Sequence, residues 1–244
     1  HQLTKTTEGI FAPWAFYKSD FQEINGHDPL YAPQSKEDSD IFNRFQLNGI
    51  KFIQTWGGCV YHMTCRGSRF ADGAVRNPNG EVFMKNRETN EWLTQNQKAT
   101  RNFIRKWGHF VKHDIFLKPI IPHKYDIGFI IKNCDIKILT GLEPWCSNVY
   151  VNPDLIKKYI STEQPNTTMD LYNRIKPYDN EKNNEILIRI DAKTLDPEDF
   201  QMLQILPEVI AESGEVGEFE LGNMNIHIIN INTYENKLII CKKQ

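Results

Sequence analysis

Three carboxylates fall within four residues at Glu37-Asp38-Ser39-Asp40, directly after Lys36. Like charges this close repel one another unless a cation or a proton-transfer task accounts for them. A Gly-His-Asp turn (Gly26, His27, Asp28) stands upstream, and Val60-Tyr61-His62 stands downstream. A positioned carboxylate within reach of a hydroxyl can take its proton. Oxygen ligands with one imidazole also suit a divalent cation. The same acids have a structural use, because acids in the first turn of a helix complement its dipole. Asp40 is the one that this use explains best.

The elements that must carry these groups follow from apolar spacing. Residues 18–25 read as a short helix with Phe21 and Ile24 inward, and Gly26-His27-Asp28-Pro29 as a turn. Residues 37–48 fit a helix with Ile41, Phe42, Phe45 and Leu47 near helical spacing, stopped at Asn48-Gly49. Residues 50–62 read as one or two strands around Gly57-Gly58. Residues 63–87, rich in Gly, Arg and Asn, read as a long loop, functional or mobile. A helix is expected over 88–107, with Trp92 and Trp107 as packing and Arg101, Arg105 and Lys106 as a solvated face. The segment 116–126, with Pro119 and Pro122, reads as a linker or crossover. His109, His113 and His123 lack metal-ligand spacing and read as surface residues.

The remainder changes character. Strand-like runs at 127–131, 136–139, 186–190, 226–231 and 237–241 surround helical stretches at 153–160, 168–175 and 197–212. Asp196-Pro197-Glu198-Asp199 is a helix start. Glu143-Pro144-Trp145-Cys146 places an aromatic in a turn with no assigned chemistry. A boundary near residue 120 divides the chain into 1–120 and an α+β unit, 121–244.

Composition sets outer limits. The chain has 244 residues, 25% charged and 40% hydrophobic, with a net charge of −2, which is ordinary for a globular protein and argues against a dedicated nucleic-acid binder. No apolar run reaches the roughly 18 residues of a membrane span. The five cysteines are scattered, odd in number and without a C-x-x-C pair. They read as reduced thiols of a cytoplasmic protein. The chain opens at His1 in a polar segment with no signal-peptide pattern and reads as the interior of a longer protein.

Over residues 12–62 the sequence resembles the C-terminal half of the catalytic domain of family 2-like, GT-A fold glycosyltransferases. The resemblance is carried by Pro13-Trp14, Gly26-His27-Asp28, Glu37-Asp38, Gly49 and Val60-Tyr61-His62, in that order and spacing. It implies an α/β fold, a GT-A-like partial mixed sheet with flanking helices, followed by the smaller α+β unit. It implies transfer of a hexose from a nucleotide-sugar donor to a hydroxyl acceptor on a glycan, with inversion. Asp38 would be the general base and Glu37 its neighbour. Trp14 would stack on the acceptor, Asp28 would contact substrate, and Arg66 and Arg69 would reach the diphosphate. His62 would help to hold a Mn²⁺ or Mg²⁺ ion. The family's Asp-x-Asp metal motif follows a strand, and no such strand precedes residue 37. Asp38-Ser39-Asp40 follows a polar loop instead and reads as the acceptor-side motif. The rival readings are a non-catalytic carbohydrate-binding or scaffold protein that keeps part of the fold, and a metal-dependent hydrolase using Asp38, Asp40 and His62.

Overall fold

A computed structural model describes residues 13–33, 35–55, 57, 74–76, 82–84 and 90–239. Among the described residues of the first part, the regular elements are helices and one pair of short strands. Helix α1 spans Lys18–Glu23 and α2 spans Glu37–Leu47. Strands β1 (Ala74–Arg76) and β2 (Val82–Met84) pair antiparallel, and α3 runs from Asn90 to Trp107. Helix α2 buries Ile41 and Phe45 with Ile24 against Trp14, Phe21, Ile50 and Phe52. Each large apolar side chain so buried stabilises the packing by about 1.5–3 kcal/mol.

Residues 50–55, expected in a strand, take no regular secondary structure. They are tied down through side chains instead. Ile50 and Phe52 pack on α2, and Gln54 Nε2 donates to the Phe116 carbonyl. Val60, Tyr61 and His62, and the loop arginines Arg66 and Arg69, lie outside the described residues.

The six-stranded sheet lies in the second part. Its strands are β3 (Ile127–Lys132), β4 (Asn148–Val151), β5 (Ile175–Pro177), β6 (Ile186–Asp191), β7 (Gly217–Leu221) and β8 (Met224–Ile228). Their order is β5-β4-β3-β6-β8-β7. The pairs β3–β4, β4–β5 and β3–β6 are parallel, and β6–β8 and β7–β8 are antiparallel. The helices between them are α4 (Ile136–Leu142), α5 (Pro153–Glu163), α6 (Leu171–Arg174) and α7 (Pro197–Ser213). Strands and helices alternate here, so the molecule is α/β with a mixed six-stranded sheet, where the sequence reading expected α+β for this half. Parallel neighbours force this arrangement, because each must be joined by a crossover rather than a hairpin.

Period-two alternation sorts the sheet's faces. Ile127, Phe129, Ile131, Val149, Val151, Ile186, Ile188 and Ile190 share one core with Leu139, Tyr159, Ile160, Leu203, Leu206 and Ile210 of the helices. Ile130, Tyr150 and Leu187 point the other way, against Tyr178. The return from β5 to β6 reverses direction across the sheet. A right-handed crossover must then use the opposite face, and Tyr178 and Asn184 lie there. Asn184 sits so close over Gly128 that a Cβ at 128 would meet its Oδ1 at 2.4 Å.

Of two short apolar runs expected as strands, one is helical and the described part of the other holds no strand. Residues 136–139 belong to α4: Asp135 caps it by accepting from the Ile138 amide at 2.8 Å, and Leu139 and Leu142 are buried at helical spacing. A four-residue apolar run cannot by itself distinguish the two periods. In the run at 237–241, residues Glu235–Leu238 form a 3₁₀ turn, and those past 239 lie outside the described residues.

Candidate active site

Helix α2 begins abruptly. Lys36, its N-cap, takes a left-handed backbone (φ 72°) and offers no side-chain cap. The helix therefore starts on its own acids, which face the positive end of the dipole. Glu37, Asp38 and Asp40 part company over the next turn. Asp40 points inward and is fully buried. Its Oδ2 accepts from Arg44 Nε at 2.8 Å. Its Oδ1 accepts from Trp107 Nε1 at 2.9 Å and Tyr31 Oη at 3.3 Å, and pairs with Lys106 Nζ at 2.6 Å. Lys106 also donates to Asp28 Oδ2 at 2.8 Å.

Asp38 points outward. It is exposed to water and makes no hydrogen bond with the described residues. Partial desolvation by the surrounding protein, then the charge of Glu37, raises its carboxyl above the usual range, with His27 opposing. Glu37 keeps one carboxylate oxygen, Oε2, buried without a hydrogen-bond partner. The result is one locked acid, one accessible acid of raised basicity, and one neighbour with a buried, unpartnered oxygen.

The other expected substrate contacts have structural partners. Asp28 caps the 3₁₀ turn Pro29–Tyr31 by accepting from the Leu30 amide at 2.9 Å, besides its bond to Lys106. Trp14 is half-buried, its ring 4.9 Å from Phe16 and 5.1 Å from Phe42. His62, Arg66 and Arg69 fall outside the described residues. Among the described residues no three His, Cys, Asp or Glu side chains converge as a metal group. Such an ion usually takes only one or two protein carboxylates beside waters and substrate phosphates, a number that Glu37 and Asp38 could supply.

The charged face of α3 corrects the sequence reading. Arg105 and Lys106 are buried, not solvated. Arg105 Nε donates to Glu143 Oε2 at 2.8 Å, its Nη2 to Glu163 Oε1 at 2.7 Å and its Nη1 to Asn102 Oδ1 at 2.9 Å. Arg174 Nε reaches the other oxygen of Glu143, Oε1, at 2.8 Å, and Tyr159 Oη donates to Oε2 at 3.2 Å. Burial alone would push the Glu143 carboxyl up, but the charges and hydrogen bonds of Arg174 and Arg105 hold it down at about 2. The Glu143-Pro144-Trp145-Cys146 turn thus has a purpose: it delivers the anion that fastens α3 to the sheet. His109, expected at the surface, is buried too. Burial lowers its pKa to about 4, opposed by its hydrogen bond to the Phe110 carbonyl. These residues were unreadable from sequence because their partners are distant along the chain: 38 residues separate Arg105 from Glu143 and 67 separate Trp107 from Asp40.

Beside the site runs a groove of about 410 Å³ between α3, α4 and α7. Asn96, Thr100, Thr140, Phe110 and Trp145 line it. Asn96 Oδ1 accepts from Ser35 Oγ at 2.9 Å, so one wall of the groove touches the loop that opens α2. Cys146 is no nucleophile, since burial pushes its thiol up to about 12.

The fold and site define an α/β protein with an accessible acid at a helix start, framed by buried ion pairs. No family model, no curated protein and no solved structure matches the chain.

Proposed function

We propose that this chain is the acceptor-side part of a glycosyltransferase that moves a hexose from a nucleotide-sugar to a hydroxyl acceptor with inversion. Asp38 is the general base. The observation that carries the reading is the division of labour within residues 37–40. Asp40 is spent on Arg44, Lys106 and Trp107, whereas Asp38 is accessible, unpaired among the described residues and of raised pKa. A carboxylate raised in this way holds a proton more firmly than an ordinary surface aspartate, which favours proton transfer from an alcohol.

In the proposed step the acceptor oxygen attacks the anomeric carbon. The new C–O bond forms as the bond to the leaving diphosphate breaks, and the hydroxyl proton passes to an Asp38 carboxylate oxygen. Glu37 keeps that carboxylate basic through its adjacent charge. Lys106 holds Asp28 and Asp40 in place beneath. The aromatic- and amide-lined groove at Asn96 and Trp145 suits the apolar faces and hydroxyls of a glycan chain. In this reading His62 would help to hold a divalent ion, which would supply charge stabilisation to the departing diphosphate.

The test uses the full-length protein with a set of nucleotide-sugars and glycan acceptors. Asp38→Asn is expected to lower kcat by about 10²-fold or more while the Kd for the nucleotide-sugar, measured by calorimetry, stays unchanged. Undiminished transfer by Asp38→Asn would remove Asp38 from the role. Glycan binding without turnover by the wild-type protein would favour the carbohydrate-binding alternative.

A further inference from the structure

The polar groups of the groove between α3, α4 and α7 divide into acceptors, a donor and a cation. Thr100 Oγ1 donates its proton to the Asn96 carbonyl at 2.8 Å, and Thr140 Oγ1 donates to the Ile136 carbonyl at 2.7 Å. Each hydroxyl oxygen is left with lone pairs for a ligand. Asn96 is the reverse case. Its Oδ1 already accepts from Ser35 Oγ at 2.9 Å, and its Nδ2 hydrogens have no partner among the described residues. Phe110 stands nearly perpendicular to Trp145, the ring centroids 5.0 Å apart, and is 43% exposed. A pyranose ring matches this set, with its apolar face on the aromatic and its hydroxyls on the polar groups.

Charge adds a requirement that a neutral sugar does not meet. Among the described residues that line the groove, Arg101 and Lys137 are cationic and none is acidic. Arg101 is compensated, because its Nε and Nη2 donate to the two oxygens of Glu163 at 2.9 and 3.1 Å. Lys137 is exposed and makes no hydrogen bond or ion pair with the described residues. Asp135, two residues earlier, keeps its charge, but its carboxylate accepts from the Ile138 amide and lies outside the lining. Helix stability does not account for Lys137 either. It stands in the first turn of α4, where a cation opposes the helix dipole. The groove thus carries one uncompensated positive charge beside an aromatic wall.

We propose that this groove recognises an acidic glycan, one sugar ring stacking on Phe110 while a carboxylate or phosphate on the chain pairs with Lys137 Nζ. The inference rests on a glycan being the molecule that this protein handles, and it adds the class: a chain bearing anionic groups. A charge-assisted contact of this kind sets which chain is accepted more than how tightly any chain is held. The bond from Ser35 to Asn96 joins the groove wall to the loop that opens α2, so the selected chain is held next to the helix that carries Asp38.

Calorimetry on the full-length protein, with no nucleotide-sugar present, tests this. The probes are short oligosaccharides of galacturonate, of glucuronate and of phosphorylated mannose, each beside its neutral counterpart (the methyl-esterified uronates and the unphosphorylated mannose chain). At least one acidic probe is expected to bind about fivefold tighter than its counterpart, and which one separates a carboxylate from a phosphate ligand. The preference is expected to vanish in about 1 M salt, where charges are screened within roughly 3 Å. Lys137→Gln should abolish it without changing the Kd of the neutral chain, and Lys137→Arg should keep it. Lys137 has no partner to lose, so both variants are expected to melt like the wild type. Phe110→Ala should weaken acidic and neutral chains alike by about tenfold. Equal Kd for every acidic probe and its counterpart, a preference that survives Lys137→Gln, or no binding of any probe overturns the inference. An acidic preference in a protein that transfers no sugar leaves it standing and removes the transferase reading. Transfer to neutral and acidic acceptors bound with equal Kd does the reverse.

Discussion

Asp38 and Asp40 lie two residues apart on one helix and have opposite fates. The helical turn sends Asp40 into the protein, where three donors and a lysine meet it, and leaves Asp38 in water. A buried carboxylate that loses its charge leaves its cations uncompensated, at a cost of about 3–5 kcal/mol. Asp40→Ala should therefore lower the unfolding free energy by about that amount in urea titration. Asp38→Asn should change it by less than about 0.5 kcal/mol, because no partner is left behind. Its cost falls on turnover. Equal destabilisation by the two substitutions would contradict the division of roles drawn from their surroundings.

Helices α4, α5, α6 and α7 are each started by a side-chain cap, and the strongest is on α7. Asp196 accepts from the Glu198 and Asp199 amides at 2.8 Å, and Asp199 Oδ2 accepts in return from the Asp196 amide at 3.1 Å. Asp199 also accepts from the Asn223 amide and side chain at 2.9 Å, which joins the helix start to the β7–β8 turn. Asp196→Ala should cost about 1 kcal/mol, read as a lower chemical-denaturation midpoint. Gly222→Ala should cost more. The residue has a left-handed φ of 58°, and its new Cβ would meet Asp199 Oδ1 at 2.0 Å, so the substitution strains the turn and breaks the cap together. Were Gly222→Ala the milder change, the coupling between turn and cap would be refuted.

Across the whole molecule, stability should fall on acidification in two overlapping windows. His109 is buried with a folded pKa of about 4, below its unfolded value near 6.5. It contributes fully above pH 6.5, and that contribution is lost as pH falls toward 4. Glu143, held at about 2, contributes fully above its unfolded pKa, and that contribution is lost as pH falls from about 4.5 toward 2. Each is worth on the order of 3 kcal/mol. Thermal unfolding followed from pH 7 to pH 3 should show a falling midpoint throughout. His109→Phe should flatten the upper window, because it leaves no proton to take up. A midpoint unchanged between pH 6.5 and 4.5 in the wild type would show that His109 is not protected from protonation.

The sequence by itself determined the local elements with strong punctuation. Caps and 3.6-residue spacing marked α2, α3, α5 and α7, and the β-branched runs marked β3 and β6. It set Asp40 apart as structural on the helix-dipole argument, whereas the fold gives another reason, burial against Arg44, Lys106 and Trp107. Tertiary structure alone decided the rest. Strand order, the parallel pairing and the helical state of 136–142 depend on what each segment meets, and a short apolar run meets either partner equally well. The charges of α3 were misread for the same reason. Periodicity assigns a charged face to water, whereas Arg105 and Lys106 find Glu143, Glu163, Asp28 and Asp40 brought from distant segments. A charge is buried only when its counter-charge arrives, and only the folded chain brings them together.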